Sequence, residues 1–214
     1  MIFRFMLVFL TFSMLACRGG PPVAPEPGME IVGHGRDGEF QAAVGVDWSK
    51  YTKVILHAAP VEFRENWQRD KEREYKTKFR EEDMERFKAS VSGQFAKVMH
   101  KKLSGQDGYE LTSESGPGVM RFLPRIVDLD IQAPGWVQGS IVESMSRTKG
   151  SVTIELVIRD SVSDELLGVG WQHQSDPQEG YMEMTKTVNN TVAFRLMMQN
   201  ATDWLLKQLD EAGS

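Results

Sequence analysis

Two periods of apolar residues run through the chain. Val54, Leu56 and Ala58 alternate with Lys53, Ile55 and His57, which predicts a strand over Lys53–Val61 with Pro60 at its end or at an edge. Met84, Phe87, Val91, Phe95, Val98 and Leu103 then recur near a 3.6-residue spacing, which predicts a helix over Glu81–Leu103. Its charge order agrees. Glu81, Glu82 and Asp83 open it, Lys101 and Lys102 close it, and Gly105 follows as a C-terminal stop. A short strand at Tyr109–Thr112 and the turn Ser115-Gly116-Pro117-Gly118 lead back to period two. Strands are predicted over Val119–Ile131, Val137–Met145, Ser151–Asp160 and Glu165–His173. The polar run Asp160–Asp164 joins the last two as an antiparallel hairpin. Met184–Ala212 is a second long helix, with Met184, Val188, Val192, Leu196, Ala201, Trp204, Leu205 and Leu209 towards the core.

This order predicts a single α+β domain. The expected architecture is a mainly antiparallel sheet of four to five strands, with two long helices packed on one face. The globular part is expected over residues 46–214, beginning near Asp47-Trp48. Before it, residues 17–45 lack apolar periodicity and are rich in Pro and Gly: Pro21, Pro22, Pro25, Pro27, Gly28, Gly33, Gly35 and Gly38. They read as a flexible tether, and a linker of about 25 residues reaches roughly 25–30 Å. His34 falls in that stretch as a loop residue. Phe63–Arg80 is dense in charge with scattered aromatics, and reads as a mobile excursion or an exposed helix.

The first residues bear on the compartment. Met1–Arg4 gives a positive start and Phe5–Ala16 is almost wholly apolar, too short for the about 20 residues a membrane span needs. That is the shape of an export signal over residues 1–16. Met14-Leu15-Ala16-Cys17 resembles the lipobox of bacterial lipoproteins, with cleavage after Ala16 and lipidation of Cys17. Met14 and Leu15 depart from its commonest residues. The chain has one cysteine. An unmodified odd thiol in an oxidising space is a reactive liability, and lipidation removes it. Arg18 in place of an aspartate points to the outer membrane, with the domain facing the periplasm. The net charge is −5. Such a balance favours neither nucleic acid nor anionic lipid headgroups as partners, so the membrane contact would be made by the N-terminal lipid.

A set of landmarks runs along the domain: Tyr51-Thr52-Lys53-Val54-Ile55, Pro60-Val61, an amphipathic helix, Ile154-Glu155-Leu156, Asp160-Ser161, Glu165-Leu166-Leu167 and a terminal helix carrying Trp204. Together they resemble the bacterial lipoprotein family filed as domain of unknown function 3313, over about Trp48–Leu209. Asp164 stands where that family's turn would be expected to hold glycine. The resemblance implies export and lipidation and assigns no activity.

Chemistry-bearing motifs are few. Gly168-Val169-Gly170 lies within a strand and reads as a bulge or close packing rather than a dinucleotide loop. Ser146-Arg147-Thr148-Lys149 spells SxxK without its companion motifs. His34, His57, His100 and His173 stand apart from one another. Asp128 and Asp130 share one strand face at the two-residue period. No cofactor is expected and no catalytic set is identified. Trp136 at a loop corner, Trp67 and Phe63 are the candidate interface anchors. The favoured reading is a membrane-anchored, non-catalytic module for interaction with, or assembly of, an envelope protein. The alternative is a periplasmic hydrolase or small-ligand binder using Ser146, Lys149, Asp128 and Asp130.

Overall fold

A computed structural model describes residues 27–105, 108–131, 144–146, 150–175, 183–185 and 187–213. Its main sheet contains strands β1 (Met29–Gly35), β2 (Gly38–Ala43), β3 (Lys53–Leu56), β4 (Val61–Phe63), β5 (Glu110–Leu111), β6 (Val119–Ile131), β8 (Gly150–Asp160) and β9 (Leu166–Ser175). A separate two-stranded ribbon pairs β7 (Ser144–Ser146) with β10 (Glu183–Thr185). The helices are α1 (Trp67–Tyr75), α2 (Glu81–Leu103) and α3 (Thr187–Ala212).

The expectation of a mainly antiparallel sheet of four to five strands with two helices is overturned. Among the described residues the sheet has eight strands in mixed orientation, with three α-helices and a short 3-10 turn at Trp48–Lys50. Its order is β1-β2-β9-β8-β6-β3-β5, with β4 beside β6 further along. The run from β1 to β6 is antiparallel. Strands β3 and β4 lie parallel to β6, and β5 lies parallel to β3. The parallel part follows from the connection. Strand, helix, strand is a crossover unit, and a helical crossover returns the chain in the same direction.

The strand expected over Lys53–Val61 is two strands, and Pro124 explains the break. It sits in β6 between the residues that pair with β3 and those that pair with β4. Proline has no N–H to donate to a ladder. The His57 N–H donates to Phe122 on one side of it, and the Ile126 N–H donates to Pro60 on the other.

Residues 29–43, expected within the tether, form the β1–β2 hairpin at the sheet edge. Phe40 is fully buried and lies across the strand from Gly170. A Cβ on Gly170 would fall 2.5 Å from the Phe40 ring, and one on Gly168 would fall 3.0 Å from it. The two glycines therefore make room for Phe40, which is the close-packing reading of Gly168-Val169-Gly170.

The core lies on one face of the sheet. Met120, Phe122 and Ile126 of β6 and Val152, Ile154, Leu156 and Ile158 of β8 are buried against Val91, Phe95 and Met99 of α2 and Met198, Ala201 and Leu205 of α3. Leu196, expected in the core, is instead exposed on α3. Helix α2 begins as its charge pattern predicts, the Asp83 carboxylate accepting from the Arg80 N–H at 2.9 Å. A satellite cluster forms at the end of the sheet. Trp67 stacks on Phe63 at 4.1 Å between ring centroids, and Phe79 and Phe87 pack around it. Phe63–Arg80 is thus a strand end, a short helix and a packed connection.

Candidate functional site: the open face of the sheet

Side chains alternate across a strand, so the residues between the core positions point the other way. On β6 these are Arg121, Leu123, Arg125 and Val127; on β8, Thr153, Glu155, Val157 and Arg159; on β9, Val169, Trp171 and His173. Glu39 and Gln41 of β2 continue the face. The register places Glu39 opposite Trp171, Trp171 opposite Glu155, and Glu155 opposite Arg125. A row of acid, indole, acid and guanidinium therefore crosses four strands, with about 10 Å between the backbones that carry the two acids.

The row is held by hydrogen bonds. Arg125 donates to Glu155 at 3.0 Å and to Glu62 of β4 at 2.8 Å. Burial is the largest influence on the Glu155 carboxyl and raises its pKa; Arg125 opposes the rise, and Glu62 and Asp128 add to it. Glu39 is only 3% exposed, and its carboxylate accepts from the Gln41 amide at 2.8 Å. His34 Nδ1 lies 3.3 Å from its other oxygen. Thr153 Oγ1 meets His173 Nδ1 at 2.9 Å. The Trp171 indole N–H is buried and has no acceptor. Half-buried Leu123, Val127, Val157 and Val169 surround the polar row.

The other sequence-derived candidates fall elsewhere. Trp67 is 1% exposed and donates to the Ile131 carbonyl at 2.8 Å, so it anchors the satellite core rather than an interface. Phe63 is half-buried beneath it. Ala16, Cys17 and Trp136 lie outside the described residues, as does Lys149. Asp128 and Asp130 do not act as a pair. A bulge between Val127 and Asp130 interrupts the period, with Asp128 at φ 49°. Asp130 accepts from Arg64 at 2.6 Å, and Arg64 also reaches Asp70 at 2.9 Å. His100 lies on α2, on the other side of the sheet. Among the described residues no three His, Cys, Asp or Glu side chains converge as a metal site, and no helix is long and apolar enough to cross a membrane.

Trp171 escaped the sequence reading. Its signal was there: an aromatic at an outward position of a period-two run, one residue beyond two glycines.

The landmarks Tyr51, Asp160 and Ser161 have structural work. Asp160 accepts from the Val162 and Ser163 N–H groups at 2.8 Å each, and from the buried Tyr51 hydroxyl at 2.9 Å. Ser161 ties this turn to Gly116. Asp164, in place of the expected glycine, takes φ 62°, a conformation Asp tolerates better than most residues. These ties define a mixed-sheet α+β domain built around one pinned turn. A family model described as "Protein of unknown function (DUF3313)" matches residues 40–191, and the chain belongs to that family. No curated protein matches the chain. Among solved structures it is similar to a PelC dodecamer from Paraburkholderia phytofirmans, at 9% identity and a TM-score of 0.37, covering 80% of this chain and 96% of that one. It is also similar to a neuraminyllactose-binding hemagglutinin homologue from Helicobacter pylori, at 12% identity and a TM-score of 0.37, covering 77% and 90%. Both likenesses are loose.

Proposed function

We propose that the chain is a bacterial lipoprotein, anchored through lipid on Cys17, whose domain is a non-catalytic module that docks or assembles an envelope protein. The outer membrane, with the domain on its periplasmic side, is the proposed site. The observation that carries the docking role is the one-sided packing of the sheet. Among the described residues, helices α2 and α3 cover one face and no helix covers the other, which carries half-buried Trp171 among ordered ion pairs and half-buried aliphatics. The anchoring rests on the N-terminal sequence.

Two measurements test the two halves separately. Intact mass of the protein from detergent-solubilised membranes is expected to give a chain beginning at Cys17 with added acyl mass, and Cys17→Ser is expected to lose it. An unlipidated chain would overturn the anchor. For the docking role, a photo-crosslinking residue replaces Val157 on the open face or Leu196 on the exposed side of α3, in intact cells. One discrete adduct is expected from position 157 that is absent from position 196 and lost when Trp171 is changed to Ala. No adduct at 157, or equal adducts at both, would remove the open face as the docking surface.

A further inference from the structure

Charge on the open face changes sign along the strands. Around Trp171 the carboxylates of Glu39, Glu155 and Glu62 gather with the Arg125 guanidinium. Four residues further along β8, about 13 Å away, the balance is reversed. There the register sets Arg159 of β8 directly opposite Arg121 of β6, and like charges so placed repel. One carboxylate is shared between them. Asp164, from the β8–β9 turn, accepts from Arg121 Nη2, and its Oδ1 lies 3.8 Å from Arg159. Its backbone carbonyl accepts from Arg159 Nη1 at 2.7 Å. The pairing is incomplete. A guanidinium can offer a carboxylate two parallel donors, but Arg121 gives Asp164 one nitrogen, and its Nε is buried with no acceptor. The Asp164 side chain is 66% exposed and its backbone holds φ 62°. Between the two charged ends lie half-buried Leu123, Val157 and Val169, neighbours through the register.

We propose that Arg121 and Arg159 form the carboxylate-binding end of the docking face, where an acidic side chain of the partner protein replaces Asp164. Apolar groups of the same partner segment lie on Leu123, Val157 and Val169. This rests on the docking role proposed above and adds the partner's chemistry and its orientation, with the acid towards the β8–β9 turn. Charge complementarity carries it: two guanidiniums share one exposed carboxylate, and the planar fork of arginine matches a second. Asp164 is the internal stand-in that a partner displaces. Complementarity of this kind fixes register and excludes wrong partners more than it adds affinity.

The photo-crosslinking residue at position 157 tests this, because Val157 is two residues from Arg159. In intact cells, Arg121→Gln combined with Arg159→Gln is expected to reduce the protein adduct by about tenfold or more, the weight of one hydrogen bond to a charged group. Arg36→Gln combined with Lys207→Gln removes the same charge from the β1–β2 turn and from α3, and is expected to leave the adduct unchanged. Asp164→Gly withdraws the competing carboxylate and suits the positive φ, so it is expected to increase the adduct. Mass spectrometry of the crosslinked peptide is expected to find Asp or Glu in it. Near-ultraviolet circular dichroism of the purified chains checks folding. Should the double arginine variant unfold, Asp164→Gly alone decides. An undiminished adduct in the folded arginine variant, an equal loss in the Arg36 and Lys207 variant, no gain with Asp164→Gly, or a crosslinked peptide without an acid would overturn the carboxylate end and leave the docking face standing. No adduct in the parent, or an adduct with phospholipid in place of protein, would remove the docking face and this inference with it.

Discussion

At the scale of single residues, Asp160 shows how one side chain fixes a turn. It accepts two backbone N–H groups, the Ser163 hydroxyl and the Tyr51 hydroxyl. Those bonds, led by that from the Ser163 N–H, lower its pKa to about 2. A carboxyl whose pKa is depressed by folding stabilises the fold above its unfolded value, near 4, and loses that contribution as pH falls towards 2. Asp160→Ala is therefore expected to cost about 1–3 kcal/mol in urea unfolding at pH 7. Its deficit relative to the parent should shrink between pH 4 and pH 2; a constant deficit would mean that the carboxylate's charge contributes nothing. Two glycines give a sharper contrast. Gly170→Ala drives a methyl into the Phe40 ring and to 3.0 Å from the Glu39 carbonyl oxygen, which should destabilise by roughly 1–3 kcal/mol. Gly93→Ala, in the middle of α2 with nothing within 4 Å of the new Cβ, should stabilise by about 0.5–1 kcal/mol. Thermal unfolding of the two variants decides both.

At the scale of elements, the sequence was legible wherever one face of an element is buried and the other is wet. Helix α2, strand β6 and the β8–β9 hairpin fall within a residue or two of their expected bounds for that reason. The β1–β2 hairpin was hidden because its glycines are packing devices. A Cβ on Gly33 would collide with the Gln208 side chain, and one on Gly38 with that of Gln172. Glu39-Phe40-Gln41-Ala42 does alternate, but over only four residues and with Phe40 as the one large apolar side chain, so the period-two signal is too short to mark a strand among the surrounding glycines. Strand direction was hidden too, since β3, β4 and β5 are short and their parallel pairing depends on a crossover. For the site, the alternation of Ser151–Asp160 puts Glu155 with Thr153 and Arg159 on the polar face of its strand, but Trp171 gained meaning only from its register with Glu39 and Glu155. Charge density disguised α1 as a solvated face. Its single buried indole decides otherwise: Trp67→Ala is expected to cost about 3–5 kcal/mol and to speed amide exchange in α1 and at Ile131 before the main core opens. If exchange there matched the parent, the satellite cluster would not be held by Trp67.

At the scale of the whole molecule, the β1–β2 hairpin changes how an anchored domain would sit. With the fold beginning at Met29 rather than near Asp47, only Arg18–Gly28 separates Cys17 from the sheet. Eleven residues of Pro- and Gly-rich chain reach roughly 17–20 Å, against 25–30 Å for the longer tether. The sheet edge where the chain enters would then be the membrane-proximal end. Val44, whose N–H donates to Gly28 at 3.0 Å, marks that end and is exposed. Arg36, at the β1–β2 turn, lies about 20 Å away along the strand. Because the proposed lipid occupies the chain's one cysteine, Val44→Cys and Arg36→Cys each offer a unique thiol for a fluorophore. In vesicles carrying a headgroup acceptor dye, energy transfer is expected to be stronger from position 44 than from position 36. Lengthening the tether by twenty Gly/Ser residues after Gly20 should narrow the difference, because the domain then samples positions farther from the surface than its own length. Equal transfer from both positions in the parent would mean that the domain lies along the membrane or turns freely above it, and a membrane-proximal hairpin would be lost as a constraint on how a partner reaches the open face.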